Sequence, residues 1–162
     1  SAEKYLERGR FKMIRANATG KVSEDTEQIQ LMNWCRWKAN QGGVWEMLDL
    51  LYHVPNGGRR GKAEASIFKA MGVKAGVPDL FLPVPMVLQS AEYAQNTHGL
   101  YIEMKAQGGR LQPSQREWLE KLRRMGYCCR VCFGCEEAER VLEDYLEGRW
   151  PADGNAWDKA GK

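Results

Sequence analysis

The sequence predicts a small α/β domain with a mixed β-sheet flanked by helices, and three observations support this fold class. Helical and strand patterns alternate along the chain. Residues 100–105 alternate apolar and polar side chains, as a half-buried strand does. Residues 113–126 combine a proline, an apolar stripe and a terminal glycine, as a helix does. The 162 residues suffice for one hydrophobic core.

The individual elements are indicated by capping and breaking residues. Ser23 begins a first helix, which ends at residues 40–43, and Ser114 with Glu117 forms a capping-box pattern for the helix after Pro113. Residues 83–98 show no regular pattern. The remaining predicted elements are a helix running into a strand over 44–54, a helix over 63–71, strands over 79–82 and 127–133, and a helix over 136–146. We expect a flexible arm over 1–22, one domain over 23–147 and a flexible tail over 148–162.

Composition narrows the class of protein without naming a partner. The formal charge is +3, and 28% of residues are charged against 43% hydrophobic, which favours a globular protein. Basic residues cluster in 59–74 and 105–130, and acids in 136–147, which indicates one positive face, although solvated surface charge is an equally good reading. No apolar run approaches the roughly 20 residues of a membrane span.

The five cysteines predict a reducing, cytoplasmic setting. Four of them, Cys128, Cys129, Cys132 and Cys135, lie within eight residues. Such a cluster also suggests zinc or an iron–sulfur cluster. Because most of it falls on a predicted strand, Cys128 and Cys132 should face opposite to Cys129, which denies a metal convergent ligands. Buried free thiols are the favoured interpretation.

The chemistry-bearing pattern joins two predicted strands. Glu103 and Lys105 share one strand face, roughly 7 Å apart, while Asp79 begins the preceding strand after Pro78. If these strands pair, Asp79 and Glu103 converge, and two close carboxylates favour a cation between them. Oxygen ligands suit Mg²⁺ or Mn²⁺. The pattern is typical in outline of a metal-dependent phosphodiesterase, although exposed strands often carry such Glu–Lys pairs for structural reasons.

Four separated motifs resemble those of a known nuclease family. They are the run HVPNGG at 53–58, GVKAGVPDL at 72–80, GLYIEMK at 99–105, and GRL at 109–111 leading to SQREWL at 114–119. Together they resemble the VRR-NUC (virus-type replication-repair nuclease) domain, a branch of the PD-(D/E)xK nucleases, over residues 23–147. The resemblance implies a restriction-endonuclease-like core and divalent-metal-dependent cleavage of DNA, often branched. Phage and bacterial members resemble Holliday-junction resolvases and act as homodimers.

The resemblance also implies roles for single residues. Asp79 and Glu103 match the metal-binding acids, Lys105 the catalytic lysine, and Gln115 the glutamine that opens the following helix. Gln115 lies one turn before an apolar pair, so it should face the strand of Glu103. The backbone carbonyl of Met104 would complete the metal site.

Further candidates come from the first helix, a histidine and the basic blocks. The first helix should supply one more acid, and Glu24 is favoured over Glu27. His53 should neighbour the active site or DNA, unless it is purely structural. The candidate phosphate contacts are Arg59, Arg60, Lys62, Lys74 and Arg110, any of which is otherwise a solvated charge.

The sequence thus predicts a Mg²⁺- or Mn²⁺-dependent DNA endonuclease, Holliday-junction resolvase-like and homodimeric, acting in a bacterial or phage-infected cell. Three alternatives stay open. They are a flap or single-strand-directed nuclease, a non-catalytic binder of DNA structures on the same fold, and a metal- or cluster-binding regulator built on the cysteines.

Overall fold

A computed structural model gives the fold and describes residues 22–55, 62–90, 92 and 94–150. Its elements, in chain order, are α1 (Glu24–Ala39), a 3₁₀ helix (Gly43–Leu50), β1 (Tyr52–His53), α2 (Lys62–Ala70), β2 (Leu80–Leu82), β3 (Met86–Gln89), β4 (Ala94–Thr97), β5 (Leu100–Lys105), α3 (Pro113–Arg124), β6 (Cys128–Phe133) and α4 (Cys135–Leu146). Ser23 caps α1, as predicted, by accepting a hydrogen bond from the Thr26 amide.

A four-stranded mixed sheet, ordered β1-β2-β5-β6, organises the domain. The pairs β1–β2 and β2–β5 are antiparallel, and β5–β6 is parallel. Parallel neighbours need a long crossover, which α3 provides here. The predicted α/β class with a mixed sheet flanked by helices is confirmed, and the predicted pairing of the strand after Asp79 with the strand of Glu103 is observed.

Apolar packing differs on the two faces of the sheet. On one face, the inward side chains of β2 and β5, such as Leu80 and Ile102, form the main core with Leu31 of α1 and Leu142 of α4. On the other face, Leu119 of α3 packs on β6 in a smaller cluster. Burial of these apolar side chains is the main stabilising contribution. The domain therefore has helices on both faces, with Glu103 on the face that α3 covers.

The hairpin β3–β4 corrects the expectation that residues 83–98 lack regular structure. Its second strand is mostly exposed and polar, so apolar alternation gave no signal. A buried tyrosine fixes the hairpin. The Tyr145 hydroxyl donates to the Val84 carbonyl at 2.6 Å and lies 2.9 Å from the Thr97 hydroxyl. Tertiary contacts, rather than local pattern, therefore define this element.

The start of α3 is a second correction, because the cap is Gln112 rather than Ser114. Pro113 occupies the first helical turn, where its missing N–H costs nothing, so the preceding residue becomes the cap. The Gln112 amide donates to the Gln115 side-chain oxygen at 2.9 Å. This contact orients the Gln115 amide group and leaves its nitrogen for the active site.

The chain ends differ in part from the predicted arm and tail. Residues 148–150 pair with β3: the Gln89 amide donates to the Gly148 carbonyl at 2.8 Å, and the Trp150 amide donates to the Gln89 carbonyl at 2.9 Å. Residues 1–21 and 151–162 lie outside the described residues. Within the described part of the chain, no helix has the length and apolar character needed to cross a membrane.

Candidate active site

Glu103 is the centre of the site and is fully buried on β5. One carboxylate oxygen, Oε1, accepts hydrogen bonds from Lys105 Nζ at 2.6 Å and from the Gln115 side-chain nitrogen. The other oxygen, Oε2, has no hydrogen-bond partner among the described residues. A buried carboxylate oxygen without a donor is costly, so this atom is poised to accept a ligand.

Asp79 precedes β2 and is tied to β5 through its side chain. Its Oδ2 accepts the Met104 backbone N–H at 2.9 Å, and its carbonyl accepts the Val54 N–H at 2.8 Å. Gly76 allows the loop before Asp79 to lie close to the start of α3. It has φ of +86°, and a Cβ there would lie 2.7 Å from the Ser114 backbone. The loop thus lies against the start of α3 and delivers Asp79 beside Glu103.

Lys105 is almost fully buried and has several oxygen neighbours. Its ammonium donates to Glu103 Oε1 at 2.6 Å and to the Met104 carbonyl at 3.0 Å, and lies 3.6 Å from Glu24 Oε1. Burial alone would lower the pKa of Lys105, but its contacts with Glu103, Glu24 and Asp79 outweigh burial and raise it. The side chain therefore stays cationic at neutral pH.

The electrostatics of Glu103 are set mainly by burial. Desolvation, followed by the nearby charge of Asp79, raises the pKa of Glu103 from 4.5 to about 8, although Lys105 opposes the shift. Two carboxylates that repel each other in a dry site favour either a proton or a cation between them. The raised pKa of Glu103 and its Oε2, which lacks a hydrogen-bond donor among the described residues, both indicate a site that favours an additional positive charge.

Helix α1 places two acids in different environments. Glu24 lies beside Lys105, whereas Glu27 accepts the Cys135 backbone N–H at 2.8 Å at the start of α4. Of these two candidates, Glu24 is the one that the structure brings to the site. Glu27 joins α1 to α4 instead, where a carboxylate at a helix N-terminus is favourable.

His53 lies beside Asp79 through the backbone. Its Nδ1 lies 2.9 Å from the Asp79 carbonyl oxygen and 3.0 Å from the Gln28 side-chain nitrogen. In register His53 pairs with Leu80, a residue of the main core, so its side chain projects toward the α1 face of the sheet. His53 is therefore a neighbour of the site, on the face opposite to Glu103. Gln28 is spaced i, i+4 from Glu24 and so lies on the same face of α1.

The predicted phosphate contacts are only partly described. Lys74 and Arg110 are exposed. Arg59 and Arg60, and the side chain of Lys62, lie outside the described residues. Two members of the second basic block are not surface charges: Lys105 is in the site, and Arg130 is buried, with its guanidinium 5.4 Å from the Trp150 ring centroid. The positive face is therefore smaller than the sequence count indicates.

The cysteines are all free and buried. Cys128 and Cys132 belong to the main core and Cys129 to the cluster beneath α3, so the predicted divergence on the strand is confirmed. Burial raises the pKa of Cys129 to about 12 and that of Cys35 likewise to about 12. The two buried thiols therefore stay protonated at neutral pH, as expected of structural cysteines.

Acid and carbonyl oxygens are the groups available to hold a cation. Among the described residues, no group of three or more His, Cys, Asp or Glu side chains is placed to bind a metal. The site offers two carboxylates, Asp79 and Glu103, and the carbonyl of Met104, whose N–H bonds to Asp79 and whose oxygen accepts from Lys105. Oxygen donors of this kind, with one buried carboxylate oxygen lacking a donor, fit a hard divalent ion.

The fold and these residues together define the class of protein to which the chain belongs. A Pro-Asp pair enters one strand and a Glu-x-Lys sequence lies on its neighbour, as in the PD-(D/E)xK nucleases. Comparison with known proteins agrees: the VRR-NUC domain matches residues 23–135. The chain belongs to the VRR-NUC family and has its nuclease-type fold, which implies DNA as the partner and divalent metal use.

A solved structure and the curated proteins complete the comparison. A chain described as a VRR-NUC domain protein is 31% identical, with a TM-score of 0.58, and the match covers 78% of this chain and 90% of that one. The mixed sheet with flanking helices is thus similar to a VRR-NUC structure. No curated protein matches this chain.

The raised pKa of Glu103 predicts a pH-dependent stability when divalent ions are removed with EDTA. The pKa of Glu103 is about 8 in the folded state and 4.5 in the unfolded state. In the window between these two pH values, the native state keeps a proton that the unfolded state has released. The free energy of unfolding of the wild type, relative to that of Glu103→Gln, should therefore fall as pH rises from 4.5 to about 8. Urea unfolding at several pH values measures both free energies of unfolding.

The control for this measurement is Glu46→Gln, which alters an exposed carboxylate on the 3₁₀ helix. Its difference from the wild type should change little with pH. A constant difference between the wild type and Glu103→Gln across the window would contradict a pKa raised by burial.

Proposed function

We propose that this protein is a divalent-metal-dependent, structure-specific DNA endonuclease of the Holliday-junction resolvase type. The observation that carries the proposal is the buried Glu103 Oε2 beside Asp79, which has no hydrogen-bond partner within the described part of the chain. A purely structural Glu–Lys pair has no reason to leave a buried oxygen unsatisfied next to a second acid. A cation-binding site has that reason, because the cation supplies the missing partner.

Asp79, Glu103 and the Met104 carbonyl would hold Mg²⁺ or Mn²⁺. When bound, the ion would polarise the scissile phosphate and favour the attacking water. Lys105 contacts Glu103 and the Met104 carbonyl, two of the three proposed ligands, and its ammonium partly balances the negative charge of Glu103. The ligand set is thus kept together by residues of the chain itself.

The remaining side chains have positioning and electrostatic roles in this proposal. Lys105, with its raised pKa, acts as a cation that orients the water and stabilises negative charge on the phosphate, rather than as a neutral base. Gln115 holds Glu103 in one orientation and is itself fixed by the Gln112 amide. Glu24 completes the surroundings of Lys105.

DNA binding draws on the exposed cations. Lys74 and Arg110 are accessible, and we assign them, with Arg59, Arg60 and Lys62, to phosphate contacts. A twofold homodimer would present two sites to the paired strands of a junction. The five free thiols suit a reducing compartment, for which we propose the cytoplasm of a bacterial or phage-infected cell.

Removing the charge of either Asp79 or Lys105 should strongly reduce cleavage. Asp79→Asn and Lys105→Met should each lower kcat on a DNA junction by about 100-fold or more, since charge stabilisation in a buried site is typically of this size. Lys121→Met, an exposed lysine of α3 paired with Glu117, is the matched control and should retain wild-type activity. Cleavage that survives in Asp79→Asn, or in EDTA, would contradict the site assignment.

Substrate preference separates the proposal from its alternatives. On four-way junction, flap, splayed-arm and linear DNAs with Mg²⁺ or Mn²⁺, we expect the four-way junction to be cut fastest and gel filtration to show a dimer. Preferential cutting of flaps or splayed arms would instead support the flap or single-strand-directed nuclease. Tight binding of junctions with no cleavage in either metal would support the non-catalytic binder.

A further inference from the structure

An aromatic row, formed by Tyr52, Phe81, Tyr101 and Tyr127, crosses the sheet on the face that carries Glu103. Its first three members are direct cross-strand neighbours on β1, β2 and β5. The ring centroids of Phe81 and Tyr101 are 4.2 Å apart and nearly parallel, and Tyr52 meets Phe81 edge-on at 5.8 Å. Tyr127 closes the row at 5.2 Å from Tyr101. The four rings therefore form one continuous aromatic surface.

Among the described residues, the row is covered at the end that packs against α3 and is exposed at the end formed by Tyr52. Leu119 and Leu122 of α3 pack in the same cluster as Tyr101 and Tyr127. At the other end, Tyr52 is 50% exposed. Gly99 lets the row lie close to the backbone, because a Cβ there would lie 2.8 Å from the Phe81 ring. A packed row of rings that opens to solvent at one end is a stacking surface already held in place.

The position of the row relates it to the acids. Tyr101 and Glu103 are two residues apart on β5 and share a face, which places them about 7 Å apart along the strand. Burial, followed by the neighbouring phenols Tyr127 and Tyr52, raises the pKa of Tyr101, so its phenol stays uncharged at neutral pH. Asp79 lies two residues before Phe81, the cross-strand partner of Tyr52, so strand spacings put Tyr52 roughly 8 Å from Asp79 and its ring within reach of the base of a nucleotide bound there.

We propose that the aromatic row, through the exposed ring of Tyr52, stacks a nucleobase that is unstacked at a branch point of the DNA, next to the scissile phosphate. This inference rests on the proposed nuclease function and deepens it, since it assigns the substrate an unstacked nucleotide at the cut, as at the branch point of a junction or the fork of a splayed arm. Aromatic rings bind bases of any sequence, because every base has a π-face. The surface therefore selects DNA structure rather than base sequence.

The test compares Tyr52→Leu with Tyr52→Phe. Leucine keeps an apolar side chain on β1 but removes the ring, whereas phenylalanine keeps the ring. Binding in EDTA, measured by fluorescence anisotropy on splayed-arm DNA, should weaken by about 5- to 10-fold in Tyr52→Leu and stay near wild type in Tyr52→Phe. Blunt linear duplex should bind all three proteins alike. Val87→Ala, an exposed residue of β3, is the control for general surface effects.

Abasic substitution locates the stacked base. Splayed-arm DNAs with one abasic nucleotide on either side of the cut should bind the wild type more weakly at one position, and Tyr52→Leu should lose nothing further there. A 2-aminopurine at that position should be quenched by the wild type and by Tyr52→Phe but not by Tyr52→Leu. Additive losses from the two changes would overturn the inference.

Three other outcomes would also overturn it. Equal affinity of Tyr52→Leu and wild type for splayed-arm DNA, while the wild type still cleaves, would remove the stacking role and leave the nuclease proposal intact. A change in oligomeric state with unchanged DNA affinity would assign the row to an interface between copies. A wild type that neither binds nor cleaves any DNA would remove the proposed function together with this inference.

Discussion

The burial of one carboxylate organises the candidate active site. Glu103 lies fully inside the domain, and among the residues that the structure describes, Lys105 and Gln115 satisfy one of its oxygens and none satisfies the other. Keeping a charged group out of water is costly unless partners surround it. The segment that enters β2, the start of α3 and the first turn of α1 each place a group near this carboxylate or its lysine. The fold can be understood as the means by which these groups are brought to one point.

Each structural layer has an identifiable share in that task. The antiparallel pairing of β2 with β5 brings Asp79 beside the Met104 amide. The parallel crossover through α3 returns Gln115 over the strand that precedes it. The contact of Glu27 with the start of α4 fixes α1 so that Glu24, one turn earlier, meets Lys105. A substitution far from the two acids can therefore alter the site by shifting a whole strand or helix.

The sequence predicted most of the fold and the convergence of the site, because both depend on local signals. Ser23, the alternation in β5 and the inward position of Gln115 relative to its apolar neighbours are all local features. The hairpin β3–β4 depends instead on the distant Tyr145 hydroxyl, and so no local pattern predicted it. The choice between Glu24 and Glu27 likewise depends on their contacts with β5 and α4, which are distant in the sequence. The aromatic row arises from strand register, which one sequence does not display.

A crystal grown from metal-free protein and soaked in Mn²⁺ tests the central claim most directly, by anomalous scattering at the manganese edge. We expect one strong anomalous peak in contact with the Asp79 and Glu103 carboxylates, which is absent in crystals of Glu103→Gln. A Mn²⁺ peak elsewhere in the molecule, or full DNA cleavage in Mn²⁺ with no peak at these two acids, would contradict the claim.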